Sequence, residues 1–314
     1  MDQPRELGRF QIENDRDAGM EQGYTILMDV GGSFIKYAAA NRKGELVPDS
    51  IGEMEANASG SEEEVFTAIR EIIRLVRRTR PVTGACVSMP GPFDYDNGVS
   101  YMKHKFPALY GKSLRAPFER EGLAVAFLHD STAFILGEYY DGVLRDAQNP
   151  CCVMLGTGLG FAWMRGGLVM VDDNQTPAMT LWRSPYLDGI AEDYVSTRAI
   201  RQYYGNQLSV KEIAEQARAG DARAAEAFRI TAGHLSAILT PLLSRLHCDK
   251  FALGGQIAKS ADLMPLELPV PWEVSNHLND AALLGAAWYI CRGRDACIQI
   301  VPRLEYFEEK RNNV

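Results

Sequence analysis

The sequence has six cysteines but none at metal-ligand spacing. Cys86, Cys151, Cys152, Cys248, Cys291 and Cys297 include no C-x₂-C pair, and no histidine stands near them at zinc-finger distance. Cys86, Cys151 and Cys152 sit in apolar strand-like runs, where cysteine acts as a small buried hydrophobe. An excess of positive charge is also missing. The net charge of −8 argues against a nucleic-acid binder, although it leaves room for a local basic pocket. No apolar run approaches the roughly 18 residues of a membrane-spanning helix, so no membrane partner is expected. The first 23 residues are polar and charged, unlike a signal peptide. The expectation is a cytoplasmic protein with reduced thiols. Two nucleotide motifs are absent as well. No G-x-G-x-x-G opens a helix, and Lys259-Ser260 lacks the P-loop glycines.

The 314 residues are 46% hydrophobic, which suits a globular chain long enough for two domains. Residues 24–40 read as strand, glycine turn, strand, with Asp29 just before Gly31-Gly32-Ser33. Such a turn lets the backbone approach a ligand closely, and glycine there can reach positive φ. A carboxylate beside exposed N–H groups suits a phosphate with Mg²⁺ nearby. A plain hairpin with a surface Asp reads equally well.

Ser61 and Glu64 form a capping box ahead of a helical stripe at Val65, Ile69, Ile72, Ile73 and Val76. Residues 82–88 form a buried strand running into Pro90-Gly91-Pro92, a loop unable to continue as helix. Residues 123–128 form the next strand, followed by His129-Asp130 and a helix. Asp130 therefore stands at a strand's carboxyl end, where ligands of α/β sheets collect. Taken alone, the position reads more readily as a helix N-cap, which Asp does well.

Residues 151–164 repeat the opening plan, with Gly156-Thr157-Gly158-Leu159-Gly160 between two strands. The repeat points to two halves of like topology. Residues 172–188 are an irregular loop, residues 189–204 a helix, and residues 221–247 a long helix that Pro241 should kink. Gly254-Gly255 closes a short strand. A last helix spans residues 280–291. Lys103-His104-Lys105 reads either as an anion-binding segment or as a solvated loop.

Asp29-Val-Gly-Gly-Ser33, Pro90-Gly-Pro92, His129-Asp130, Gly137-Glu138, Leu155-Gly-Thr-Gly-Leu-Gly160, Gly189-Ile-Ala-Glu192, Gly254-Gly255 and Leu284-Gly-Ala286 are an ordered set. In order and spacing the set resembles the ROK family (repressors, open reading frames, kinases). The resemblance implies an α/β, two-lobe, actin-like ATPase (ribonuclease H-like) fold, with mixed sheets flanked by helices and a central cleft. It also implies ATP-dependent phosphorylation of a hexose or related sugar. The alternative it leaves is a non-catalytic or weakly catalytic sugar-sensing regulator.

Carried over residue by residue, the resemblance makes Asp130 the catalytic base and Asp29 a water-mediated Mg²⁺ ligand. Gly31, Gly32 and Ser33 become the first phosphate turn, and Gly156, Thr157 and Gly158 the second. Gly254 and Gly255 become the adenosine-side turn. Gly91, His129 and Glu192 are assigned to the sugar. ATP and Mg²⁺ are the implied cofactors, a small sugar the partner, and a homodimer the implied assembly.

This chain departs from the family pattern in carrying His129 in place of Asn. The zinc loop and its neighbouring His are also missing between residues 172 and 188. No zinc site is expected, and Met179, Leu181, Trp182 and Tyr186 are expected to hold that wall by packing. The expected organisation is a lead-in over residues 1–23, an N-terminal lobe over 24–128 and a C-terminal lobe over 129–292. A tail over 293–314 is expected against the N-terminal lobe.

Overall fold

The computed structural model describes residues 23–205 and 208–305. The lead-in expected over residues 1–23 lies, apart from Gly23, outside them. The first sheet is built from β1 (Tyr24–Val30), β2 (Phe34–Ala40), β3 (Gly52–Glu55), β4 (Val82–Met89) and β5 (Ala124–His129). Its order is β3-β2-β1-β4-β5, with the first three strands antiparallel and β4 and β5 parallel to β1. Helix α1 (Glu62–Arg77) packs on one face. Its capping box forms as the sequence predicts, and its apolar stripe is buried.

The second sheet contains β6 (Cys151–Leu155), β7 (Leu159–Arg165), β8 (Leu168–Val171), β9 (Phe251–Gly254) and β10 (Trp272–Val274). The strand β11 (Ile298–Ile300) adds an edge, and the order is β10-β9-β6-β7-β8-β11. Apart from β11, this is the first sheet's order again: a three-strand meander, then two strands parallel to its first member. The expected internal repeat is therefore present. The β7–β8 hairpin turns on Gly166 and Gly167, both at positive φ (57° and 82°), which the primed turns of tight hairpins need.

Between the sheets lie helix α2 (Asp130–Asp141) and helix α6 (Ala281–Arg292). The two cross with their backbones in contact. A Cβ on Gly285 would lie 1.7 Å from Ala133 O, and one on Gly137 would lie 2.0 Å from Ala281 O. Glycine is required at both positions, because no neighbouring side chain can yield where backbone is the obstacle. Next to the crossing, the carboxylate of Glu138 is fully buried. It accepts from the Ser275 hydroxyl and, at 3.1 Å, from Val143 N. The division expected between residues 128 and 129 cuts the end of β5. Helix α6, expected within the C-terminal lobe, also packs against the first sheet.

The remaining helices cover the second sheet. These are α3 (Ala191–Val195), α4 (Thr197–Tyr204) and α5 (Ala222–Arg245), together with a helix over Val210–Arg218. The single helix expected over residues 189–204 is broken at Ser196. Helix α5 runs on through Pro241, and its N-cap Asp221 accepts from Arg223 N and Ala224 N.

The tail, whose residues 306–314 lie outside the described residues, packs elsewhere than expected over residues 298–304. β11 pairs in parallel with β8 of the second sheet, Val169 opposite Ile298 and Val171 opposite Ile300. Beyond it, Val301 N donates to Val171 O at 2.8 Å and Leu304 N to Ala178 O at 2.7 Å. An open sheet edge offers unpaired backbone groups, and a β-branched segment satisfies them there. Arg294 still reaches the first lobe, 2.9 Å from Asp96. Among the described residues no helix is long and apolar enough to cross a membrane.

Candidate active site

Strands β1, β4 and β5 are parallel and in register, so their carboxyl ends bring Asp29, Ser88 and His129-Asp130 together. The Ser88 hydroxyl donates to Asp29 Oδ1 at 2.6 Å. Burial raises the pKa of Asp29 most. The Ser88 bond works against that rise, the negative charge of Asp130 adds to it, and Lys36 opposes it.

Asp130 begins α2, and one of its carboxylate oxygens takes the Ser131 N–H of that first turn. His129 is the N-cap residue, and the Asp130 side chain remains 37% exposed, open to a reactant. Ser131 N lies 2.7 Å from Asp130 Oδ1 and 3.1 Å from His129 Nδ1, while Nδ1 lies 2.9 Å from the same carboxylate oxygen. The arrangement that satisfies all three atoms has both Ser131 N–H and His129 Nδ1–H donating to Asp130. His129 Nε2 then faces the Gly91 loop, 3.8 Å from where a Cβ on Gly91 would sit. Burial opposes charge on Asp130, but the charge and hydrogen bond of His129, then Lys105 and the Ser131 N–H, outweigh it. They hold the carboxyl down at about 2. At neutral pH it is an ionised acceptor.

The two glycine turns differ from the sequence expectation in detail. Gly31 and Gly32 are not at positive φ. Their value is close approach, since a Cβ on Gly31 would lie 2.9 Å from Phe34 O. Gly31 N is also used within the hairpin, donating to Phe34 O at 3.0 Å. Gly32 N and Ser33 N have no acceptor among the described residues, so they are the donors this turn can offer an anion. In the second turn Gly156 N donates to Gly158 O at 3.0 Å, and Thr157 N and Gly158 N have no acceptor among the described residues. Gly160 brings this turn against Ser131, whose Oγ would lie 3.2 Å from a Cβ there. Gly255 is at φ 84°, and a Cβ on it would lie 2.2 Å from Leu155 O. The Gly254-Gly255 turn is thus pressed onto β6.

Glu192, expected at the sugar, has one carboxylate oxygen committed to the second turn. Its Oε2 accepts from Leu159 N at 2.9 Å and fills the space beside Gly158, where a Cβ would meet it at 2.7 Å. It braces the second turn through Leu159, which lines the cavity described next. The cleft is a cavity of about 650 Å³ beside His129 and Ser131, within the usual range for small-molecule sites. The Gly91 loop and residues 94–97 form one wall, and residues 173–183 form the other. Of the four side chains expected to hold that second wall, Met179 and Leu181 are buried. Trp182 is 44% exposed and lines the cavity instead.

Tyr186 packs into a cluster that sequence reasoning missed. Its OH lies 3.0 Å from Nδ1 of His234 on α5, and the Tyr194 ring is 5.0 Å from that imidazole. Burial lowers the pKa of His234. His234 falls on a long helix with nothing local to mark it.

Among the described residues no group of three or more His, Cys, Asp and Glu could form a metal cage. Mg²⁺ does not require one, because it keeps several waters and binds through one or two carboxylates and substrate phosphates. Asp29 fits that use. It is an oxygen donor whose raised pKa records burial and a neighbouring negative charge, both of which a dication would relieve.

The chain matches the ROK family over residues 25–172 and 188–291. It belongs to the ROK family. An N-acetyl-D-glucosamine kinase of Vibrio cholerae is 26% identical over 279 residues, covering 81% of this chain and 90% of the relative. A ROK glucokinase from Streptomyces griseus, solved with glucose and AMPPNP, superposes with a TM-score of 0.68 at 21% identity. The match covers 86% of this chain and all of that one. A ROK transcriptional regulator, a homologue of the E. coli MLC protein, superposes at 0.70 with 18% identity, covering 86% and 78% of the two chains. Catalytic and regulatory ROK proteins thus share this actin-like, two-lobe α/β fold.

Proposed function

We propose that this chain transfers the γ-phosphoryl group of ATP to a hydroxyl of a hexose or related sugar. One observation carries the reading: an ionised, partly exposed Asp130 stands between His129 and Ser131, which line the cavity together with Leu159 and Gly160 of the second glycine turn. In this scheme the sugar oxygen attacks Pγ. The O–Pγ bond forms, the bond from Pγ to the β,γ-bridging oxygen breaks with its electrons leaving on ADP, and Asp130 accepts the hydroxyl proton. Gly32, Ser33, Thr157 and Gly158 are assigned to the phosphates, and Gly254-Gly255 to the adenosine side. His129 Nε2 and the Gly91 loop are assigned to the sugar. Mg²⁺, held through water at Asp29, would neutralise phosphate charge.

The kinase names among the relatives support this assignment. Glu192 enters it as the brace of the second turn. A homodimer and a cytoplasmic location complete the reading. The test is ADP release with Mg-ATP across hexoses, amino sugars and N-acetyl sugars. Saturable, sugar-dependent release is expected. Sugar binding without release by any member of the panel would favour a regulatory sensor.

A further inference from the structure

The cleft has an electrostatic problem that its assigned residues do not solve. Asp29 and Asp130 are both acidic and lie close enough for the charge of Asp130 to act on Asp29, so a nucleotide phosphate brought to these strand ends meets negative charge. Phosphoryl transfer depends largely on fixed positive charge at the group in flight. Mg²⁺ at Asp29 would answer one side of that group. The side toward Asp130 needs a cation of its own.

Lys105 is placed to be that cation. Its stem crosses the first glycine turn, with Cε 3.8 Å and Cδ 4.0 Å from where a Cβ on Gly32 would sit. Gly32 and Ser33 present the unpartnered N–H groups of that turn, so the lysine stem lies over the turn that offers these donors. The positive charge is also felt at Asp130, which it helps to keep ionised. Lys105 therefore reaches both the phosphate turn and the proposed base.

The neighbouring lysines are occupied. Lys36 donates to Asn279 O at 2.9 Å, and the Lys103 ammonium lies 5.3 Å from the centre of the Tyr110 ring. Lys105 makes no hydrogen bond or ion pair with any described residue. It is nevertheless not on a loose segment. Phe106, the next residue, is fully buried, and its N donates to Ala58 O at 3.1 Å. Phe106 also holds a left-handed conformation at φ 51°, uncommon for a bulky residue and of the kind that gathers at functional sites. The core thus pins the backbone beside Lys105 and leaves its ammonium free.

We infer that Lys105 binds the terminal phosphate of the nucleotide and stabilises the phosphoryl group as it moves to the sugar. The inference rests on the kinase reading for the transfer step and on geometry for the binding step, and the two can be separated. Titration of the protein with MgAMPPNP and with MgADP, for wild type, Lys105→Met and Lys105→Arg, reads the binding step alone.

Lys105→Met should weaken MgAMPPNP about tenfold, the effect of losing one charge-assisted contact. MgADP should change less than about twofold on the same scale. Lys105→Arg should recover most of the loss. Unchanged melting of both variants checks the fold. Equal affinities for MgAMPPNP in wild type and Lys105→Met, or parallel loss of both nucleotides, would overturn the assignment. In turnover, kcat should fall with the sugar KM unchanged. A wild type that transfers phosphate to no sugar, yet loses MgAMPPNP selectively in Lys105→Met, would sink the kinase reading and uphold Lys105 as the terminal-phosphate ligand.

Discussion

His129 Nδ1 lies 2.9 Å from Asp130 Oδ1, so the residue before the proposed base is also its principal partner. His129 supplies the largest effects lowering the Asp130 pKa, which burial alone would raise. Asp130→Asn removes the proton acceptor but keeps the shape. It should cost on the order of 10²–10⁴ in kcat with sugar affinity retained. His129→Asn removes the imidazole whose hydrogen bond and electrostatic influence lower the Asp130 pKa, so proton binding by Asp130 becomes easier and its pKa rises. The acid limb of the kcat/KM profile should therefore move to higher pH. A profile identical to wild type would show that His129 does not tune Asp130.

Asp29 carries a pKa displaced in the opposite direction. A carboxyl whose folded pKa is raised penalises the native state once pH exceeds its unfolded value, and that penalty is relieved as pH falls. At neutral pH, Asp29→Asn should therefore raise the melting temperature of the ligand-free protein while weakening Mg-nucleotide binding. Scanning calorimetry with and without MgADP reads both effects. A variant that melts lower in both states would point to loss of the Ser88 hydrogen bond as the dominant effect.

The carboxylate of Glu192 holds the N–H of Leu159. Glu192→Ala should loosen the second glycine turn and raise the KM for ATP on the order of fivefold, the worth of a hydrogen bond of about 1 kcal/mol. Glu192→Gln keeps an acceptor oxygen and should stay near wild type. Steady-state kinetics with each substrate varied would decide. A rise confined to the sugar KM in both variants would return Glu192 to the sugar.

The loop over residues 172–188 is held by Met179, Leu181 and the Tyr186–His234 contact, not by Trp182. Trp182→Ala should therefore leave the melting temperature unchanged, as exposed substitutions usually do, and raise the sugar KM. Elemental analysis should find no stoichiometric zinc, and a zinc-selective chelator should not shift melting. About one tightly held zinc per chain would refute this account of the loop.

Local chemistry in the sequence determined much of this protein. Apolar runs ending in glycine turns specify two hairpins, and Ser61 with Glu64 starts α1. Asp29 and Asp130 follow from their places at strand ends, because strand, turn and cap signals act within a few residues. What tertiary structure alone decided involves partners far apart in the chain. Gly137 meets the backbone at Ala281, β11 pairs with β8, and Glu192 turns to Leu159. Lys105 reaches Gly32, and Tyr186 finds His234. A carboxylate or ammonium looks the same in sequence whether it faces solvent, a turn or a substrate. Its direction is set by packing between elements, and no local pattern encodes that packing.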